Sequence, residues 1–115
     1  MDQGSMPLSE LAIARAVRTT VCALAGVADL SRGLFAETAT YGPGETVRGV
    51  VVRRAAGALD VEVHLIAVYA ESVLLPELAN RVRSAARQSV AALGVEAECR
   101  IDIVIDDLRI DEDRV

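Results

Sequence analysis

The sequence predicts a small α+β domain: a two-layer sandwich of order α-β-β-α-β, with two helices on one face of a small mixed sheet. Three observations lead there. Residues 9–25 and about 75–93 place apolar residues at spacings of three and four, the signature of an amphipathic helix. Residues 59–70 and 95 to about 106 alternate apolar with polar residues, the period of a strand with one face in and one face out. A clean alternation implies a sheet buried on one side only, so both helices belong on that side. The 115 residues suffice for one domain with a modest core, expected over 9–110. Residues 1–8 read as a disordered or tag-like N-terminus and 111–115 as a frayed tail.

The first helix opens at Ser9, an N-cap residue, with Glu10 in the first turn where the helix dipole favours an acid. Its stripe is Leu11, Ala14, Val17, Val21 and Leu24, and Gly26 suits the position after the last turn, where positive φ is needed. "VADL" follows as a short extended segment or turn. Residues 31–46 hold no sustained period and are punctuated by Gly33, Gly42, Pro43 and Gly44, which reads as a loop. "VRGVVVRR", 47–54, is β-branched and strand-like, with an inward parity that Val50, Val51 and Val52 leave open. "AAGA", 55–58, is a tight turn that makes a hairpin with the next strand.

In that strand Leu59, Val61, Val63, Leu65, Ala67 and Tyr69 share the inner face; Asp60, Glu62, His64, Ile66 and Val68 share the outer one. The second helix starts with Pro76 in its first turn, where a missing N–H costs nothing, and stops at Gly94. Its stripe is Leu78, Val82, Ala86, Val90 and Leu93. The last strand turns Val95, Ala97, Cys99, Ile101, Ile103 and Ile105 inward, and Glu96, Glu98, Arg100, Asp102, Val104 and Asp106 outward. The strand–helix–strand unit from 59 to 106 calls for a right-handed crossover. Strand order is left open.

Composition excludes several classes of function. Hydrophobic residues make up 52 % and aromatics 3 %, so the core is aliphatic and few rings are left to stack on bases or sugars. The net charge is −5 and every basic residue is Arg, a poor basis for neutralising phosphates. No two glycines are spaced G-x-x-G, as a KH-type RNA clamp needs, and "YGPGE" is not followed by a helix that could cradle phosphate. No stretch is apolar and long enough to span a bilayer, and the opening "MDQGSMPLSE" lacks the features of a signal peptide, so the expected setting is cytoplasmic. Cys22 and Cys99 are then reduced and read as small buried hydrophobes.

Two blocks resemble the alkaline shock protein family, the envelope stress response proteins of Gram-positive bacteria. "IARAVRTTVCALAGVADL" is similar to the family's opening Ile-Ala helix running into a Gly-Val turn, here Gly26–Val27. "VEVHLIAVYAESVLLPELANRVRSAARQSVAALGVEAECRIDIVIDDLRI" follows the family's succession of an alternating strand ending near a Tyr, a Pro-started helix, a Gly and an alternating strand. The match lies on Tyr69, Pro76, Ala79, Val82, Val90, Gly94, Ile101, Ile103 and Ile105. It departs at Ala70, where the family usually has Gly, and at Arg81, Arg83 and Arg87, where the helix is usually richer in Glu and Gln. The resemblance implies a non-enzymatic cytosolic scaffold or adaptor, held at the inner face of the cell membrane by a membrane-anchored partner, with no catalytic residues, cofactor or small-molecule substrate. Similar layouts occur in ring- and filament-building domains of secretion and sporulation machines, which is the alternative reading.

The residues favour the same class. His64, the one histidine, has Glu62 two positions along its strand face but no Ser or Cys beside it, so a solvated strand histidine is expected rather than a base or metal ligand. Glu96, Glu98, Asp102 and Asp106 form a ladder rather than a cage, which reads as a solvated face. The irregular feature is apolar: Ile66, Val68 and Val104 sit on the outer face, with at least one Val of 50–52 expected to join them, bordered by acids. Such a patch marks a protein contact. Arg83 and Arg87 on the second helix, with Arg15 and Arg18 on the first, could meet an acidic sheet face of another copy in a head-to-tail homo-oligomer.

Overall fold

A computed structural model describes residues 9–31, 39–42 and 44–110. The expected N-terminus 1–8 and tail 111–115 lie outside them, as does 32–38. Helix α1 spans Glu10–Cys22, and the Ser9 hydroxyl caps it by accepting the Ala12 N–H at 3.0 Å. It ends earlier than the periodicity predicts. The N–H of Ala23 turns back to the Thr20 carbonyl and that of Leu24 to the Val21 carbonyl, and Gly26, at φ +95°, redirects the chain. The buried stripe is Ile13, Ala14, Val17 and Val21, with Leu11 and Leu24 packed at its margin.

"VADL" is strand β1, Val27–Leu30. The predicted loop is in part a hairpin: β2, Ala39–Gly42, pairs antiparallel with β3, Glu45–Arg48. Gly42 and Gly44, two of the residues that break the periodicity, lie at its turn, and Thr40, Tyr41, Thr46 and Val47 beside them are good strand formers. Gly49, at φ +87°, separates β3 from β4, Val50–Ala55, so the expected single strand 47–54 is two. A two-residue turn at Ala56 and Gly57 joins β4 to β5, Ala58–Tyr69. Helix α2 runs Leu75–Ala92 and β6 runs Glu98–Ile110, four residues past the predicted end.

The fold is the expected small α+β class, and the strand order now follows. β6 lies parallel along the full length of β5, as a strand–helix–strand crossover requires. The opposite edge of β5 is shared: β4 pairs with Ala58–Val63 and β1 with Leu65–Ala67, both antiparallel. The sheet is three strands wide, and β4 and β1 meet end to end opposite His64. There the His64 N–H donates to the Gly49 carbonyl and its carbonyl accepts the Ser31 N–H, both at 2.8 Å.

Leu59, Val61, Val63, Leu65 and Ala67 point into the core, none more than 1 % exposed, against the stripes of both helices. Val50 and Val52 join them. Val51, opposite the outer-face Glu62, is buried too, so the alternation is not clean in β4 and Val51 adds nothing to an exposed patch. Tyr69, expected inside, is 63 % exposed, because the ends of β5 and β6 run beyond the cover of the helices. Leu93 likewise lies at the exposed end of α2.

Candidate functional site

His64 sits mid-strand with its side chain only 13 % exposed, rather than solvated as expected. Its Nε2 is 3.0 Å from Glu62 Oε1, and its Nδ1 is 3.3 Å from Asp106 Oδ2. Glu62 leans along the strand face to reach it and also lies 3.7 Å from Arg53. Asp106 arrives through a β-bulge: Leu65 pairs with Ile105 but Ile66 pairs with Asp107, so Asp106 is the extra residue. A neutral imidazole has one N–H and can donate to one of these carboxylates; a protonated ring donates to both.

This arrangement ties β5 to the bulge of β6. The two carboxylates lie on opposite ring nitrogens, so the three groups do not converge on one point, and among the described residues no group of three His, Cys, Asp or Glu side chains could hold a metal. The hydrogen bonds of the ring itself go to carboxylates, not to a thiol or hydroxyl, among the described residues. Cys99 is half-buried on the opposite face of the sheet, and Cys22, expected inside, is exposed on α1 because its position falls outside the buried stripe. Partial desolvation pushes both thiols above their ordinary value, which lowers the share of reactive thiolate.

The cations expected to reach another copy are used within the domain. Arg15 donates from Nε and Nη2 to the two oxygens of Glu45, at 3.0 and 2.6 Å, and this contact holds the Glu45 carboxyl below its usual range. Arg18 donates to the Arg48 carbonyl at 2.9 Å. Arg83 and Arg87 donate to the carbonyls of Ile101 and Cys99, at 3.3 and 3.1 Å, and so fasten α2 to β6. The match is geometric: four helical residues rise about 6 Å and two strand residues about 6.6 Å.

Ile66, Val68 and Val104 are brought together on the outer face, away from the helices, each half-buried. Val104 stands opposite His64, Ile66 opposite Asp107 and Val68 opposite Arg109. Sequence reasoning missed the neighbouring apolar surface. After the bulge, Leu108 pairs with Ala67 and Ile110 with Tyr69, which returns these residues to the inner face beyond the helices. Leu108 is 42 % and Ile110 66 % exposed. A signal was present in "IDIVIDDLRI", where the doubled acid shifts the alternation by one. Comparison with known proteins finds no matching family model, no matching curated protein and no matching solved structure.

Proposed function

We propose that this chain is a non-enzymatic adaptor that docks a protein partner on the outer face of its sheet, around Ile66, Val68 and Val104. The observation that carries the reading is a contrast on that face. Its central polar residues are engaged with one another, His64 between Glu62 and Asp106, while its aliphatic residues lie on the side that neither helix covers. A binding face needs such residues at its centre and charge at its rim.

The resemblance to the alkaline shock proteins supplies the setting: an envelope stress accessory protein in the cytoplasm, gathered at the inner face of the cell membrane by a membrane-anchored partner. No helix among the described residues is long and apolar enough to cross a membrane, so recruitment through a partner accords with the chain itself. The ring- or filament-forming alternative has less support, because the four arginines that would meet a second copy head to tail already bond within the domain. The test is Ile66→Asp. It should abolish co-purification of the membrane partner while the thermal midpoint stays nearly unchanged; capture at the wild-type level by a folded variant would refute the reading.

A further inference from the structure

We propose that the C-terminal half of β6 is a self-pairing edge, through which two copies of this chain join antiparallel about a two-fold axis centred on Leu108. The inference goes beyond the adaptor reading and does not rest on it, since it concerns a strand edge and not the outer face.

The direction of each backbone group follows from the ladder. His64 and Val68 turn their N–H groups toward Gly49 and Gly26, so the even residues of β5 face β4 and β1 and the odd residues face β6. In a parallel pair, a residue bonds to the neighbours of the one opposite it. With Val61 opposite Ile101 and Val63 opposite Ile103, it is Arg100, Asp102 and Val104 that face β5. Cys99, Ile101, Ile103 and Ile105 then face outward, as do Leu108 and Ile110 after the bulge. No described strand pairs with this edge.

The edge is guarded at one end only. Arg87 and Arg83 occupy the outward carbonyls of Cys99 and Ile101. Farther along, the one side-chain contact among the described residues is the Asp107 carboxylate, which accepts the N–H of its neighbour Leu108 at 2.8 Å. The opposite edge of the sheet is closed along β4, where the buried Thr40 hydroxyl donates to the Val50 carbonyl at 2.7 Å and accepts the Val52 N–H at 3.1 Å. An open edge flanked by exposed aliphatic side chains is a template for another strand.

Charge selects the occupant and the register. Centred on Leu108, antiparallel pairing sets Asp107 opposite Arg109 of the second copy, and Arg109 opposite its Asp107, so two complementary pairs form at once. The Asp107 carboxylate exchanges a neutral amide for a guanidinium. Leu108 meets Leu108 and, because the bulge leaves Asp106 out of the register, Ile105 meets Ile110, which covers the most exposed aliphatic of the edge. A centre on Asp107 would stack that acid on itself, and a centre on Ile105 would run Ile110 against Ile101, whose carbonyl Arg83 holds. Each copy has one such edge, so the assembly closes at two.

Sedimentation velocity at low salt tests this, over a concentration series from about 1 μM to 1 mM, the range in which a short interface dissociates. The expected result is a reversible shift to twice the 12.2 kDa chain mass. Asp107→Arg and Arg109→Asp should each weaken dimerisation about tenfold or more, since each sets like charges opposite one another. An equimolar mixture of the two variants should restore it, because each supplies the charge the other lacks. Leu108→Pro should abolish it with the β5–β6 ladder intact, the lost N–H being an outward one. A single 12.2 kDa species throughout, or failure of the mixture to recover, would overturn the proposal. So would a dimer that Ile66→Asp disrupts and Leu108→Pro does not. Ile66→Asp losing its partner while still dimerising, or the reverse pattern for Leu108→Pro, tells the two proposals apart.

Discussion

Replacing Gly49 with alanine should damage the fold more than any other glycine-to-alanine change in the domain's turns. Gly49 is buried where β4 begins and β1 ends, and its carbonyl accepts the His64 N–H. Its φ is +87°, a region that costs a residue with a Cβ about 1–2 kcal/mol. The added Cβ would also stand 2.6 Å from the Cβ of Leu30, 3.1 Å from the Ser31 carbonyl and 3.3 Å from that of His64. These atoms are fixed to the backbone and cannot rotate away. Overpacking of this kind costs about 1–3 kcal/mol more, so the total loss is about 2–5 kcal/mol. Gly57→Ala is the control: φ there is +82°, but nothing lies within 4 Å of the new Cβ, so only the first part applies. Denaturant unfolding of both variants measures the difference, and each kcal/mol moves the thermal midpoint by about 4–8 °C in a domain of this size. Equal losses for Gly49→Ala and Gly57→Ala would show that β4 and β1 do not meet at His64 as described.

Ala56 is the one non-glycine residue with positive φ among the described residues, +52°, in the β4–β5 turn. Ala56→Gly should therefore stabilise the domain by about 0.5–1 kcal/mol in the same unfolding assay, the relief of strain exceeding glycine's added entropy cost. Leu65→Asp should prevent folding, because Leu65 is 0 % exposed and an unpaired buried charge costs several kcal/mol. Ile66→Asp, one residue along, should lose under about 1 kcal/mol, the cost of a like charge opposite Asp107; circular dichroism and thermal melts check both. Both thiols should react with a disulfide reagent more slowly at pH 7–8 than a free cysteine does, because their raised values leave less thiolate there, and unfolding should abolish the difference.

The α+β class and the inner faces of β5 and α2 were legible because a period is a direct record of burial: Leu59 to Ala67, and Leu78, Val82, Ala86 and Val90, are buried as their spacing predicts. Strand order was not legible, since nothing local records that β4 and β1 share one edge of β5. The hairpin at 39–48 was hidden because its strands are four residues each, too short to show a period. At the site, the apolar outer row was readable from Ile66, Val68 and Val104. The sheltering of His64 was not, because it depends on a bulge that carries Asp106 across from the neighbouring strand. The arginines illustrate the limit of charge reasoning. Arg83 and Arg87 share a helix face as expected, but their partners are carbonyls of β6 that only the tertiary register brings within reach.

The adaptor account is tested most directly by where the protein sits in its own cells. Membranes would be sedimented from cells carrying the tagged wild-type chain or the folded Ile66→Asp variant, and the two fractions compared. The account predicts that the wild type sediments with the membrane, that digestion of membrane proteins releases it, and that Ile66→Asp stays in the supernatant. A wild-type chain that remains in the supernatant under envelope stress, or an Ile66→Asp variant that sediments equally well, would contradict it.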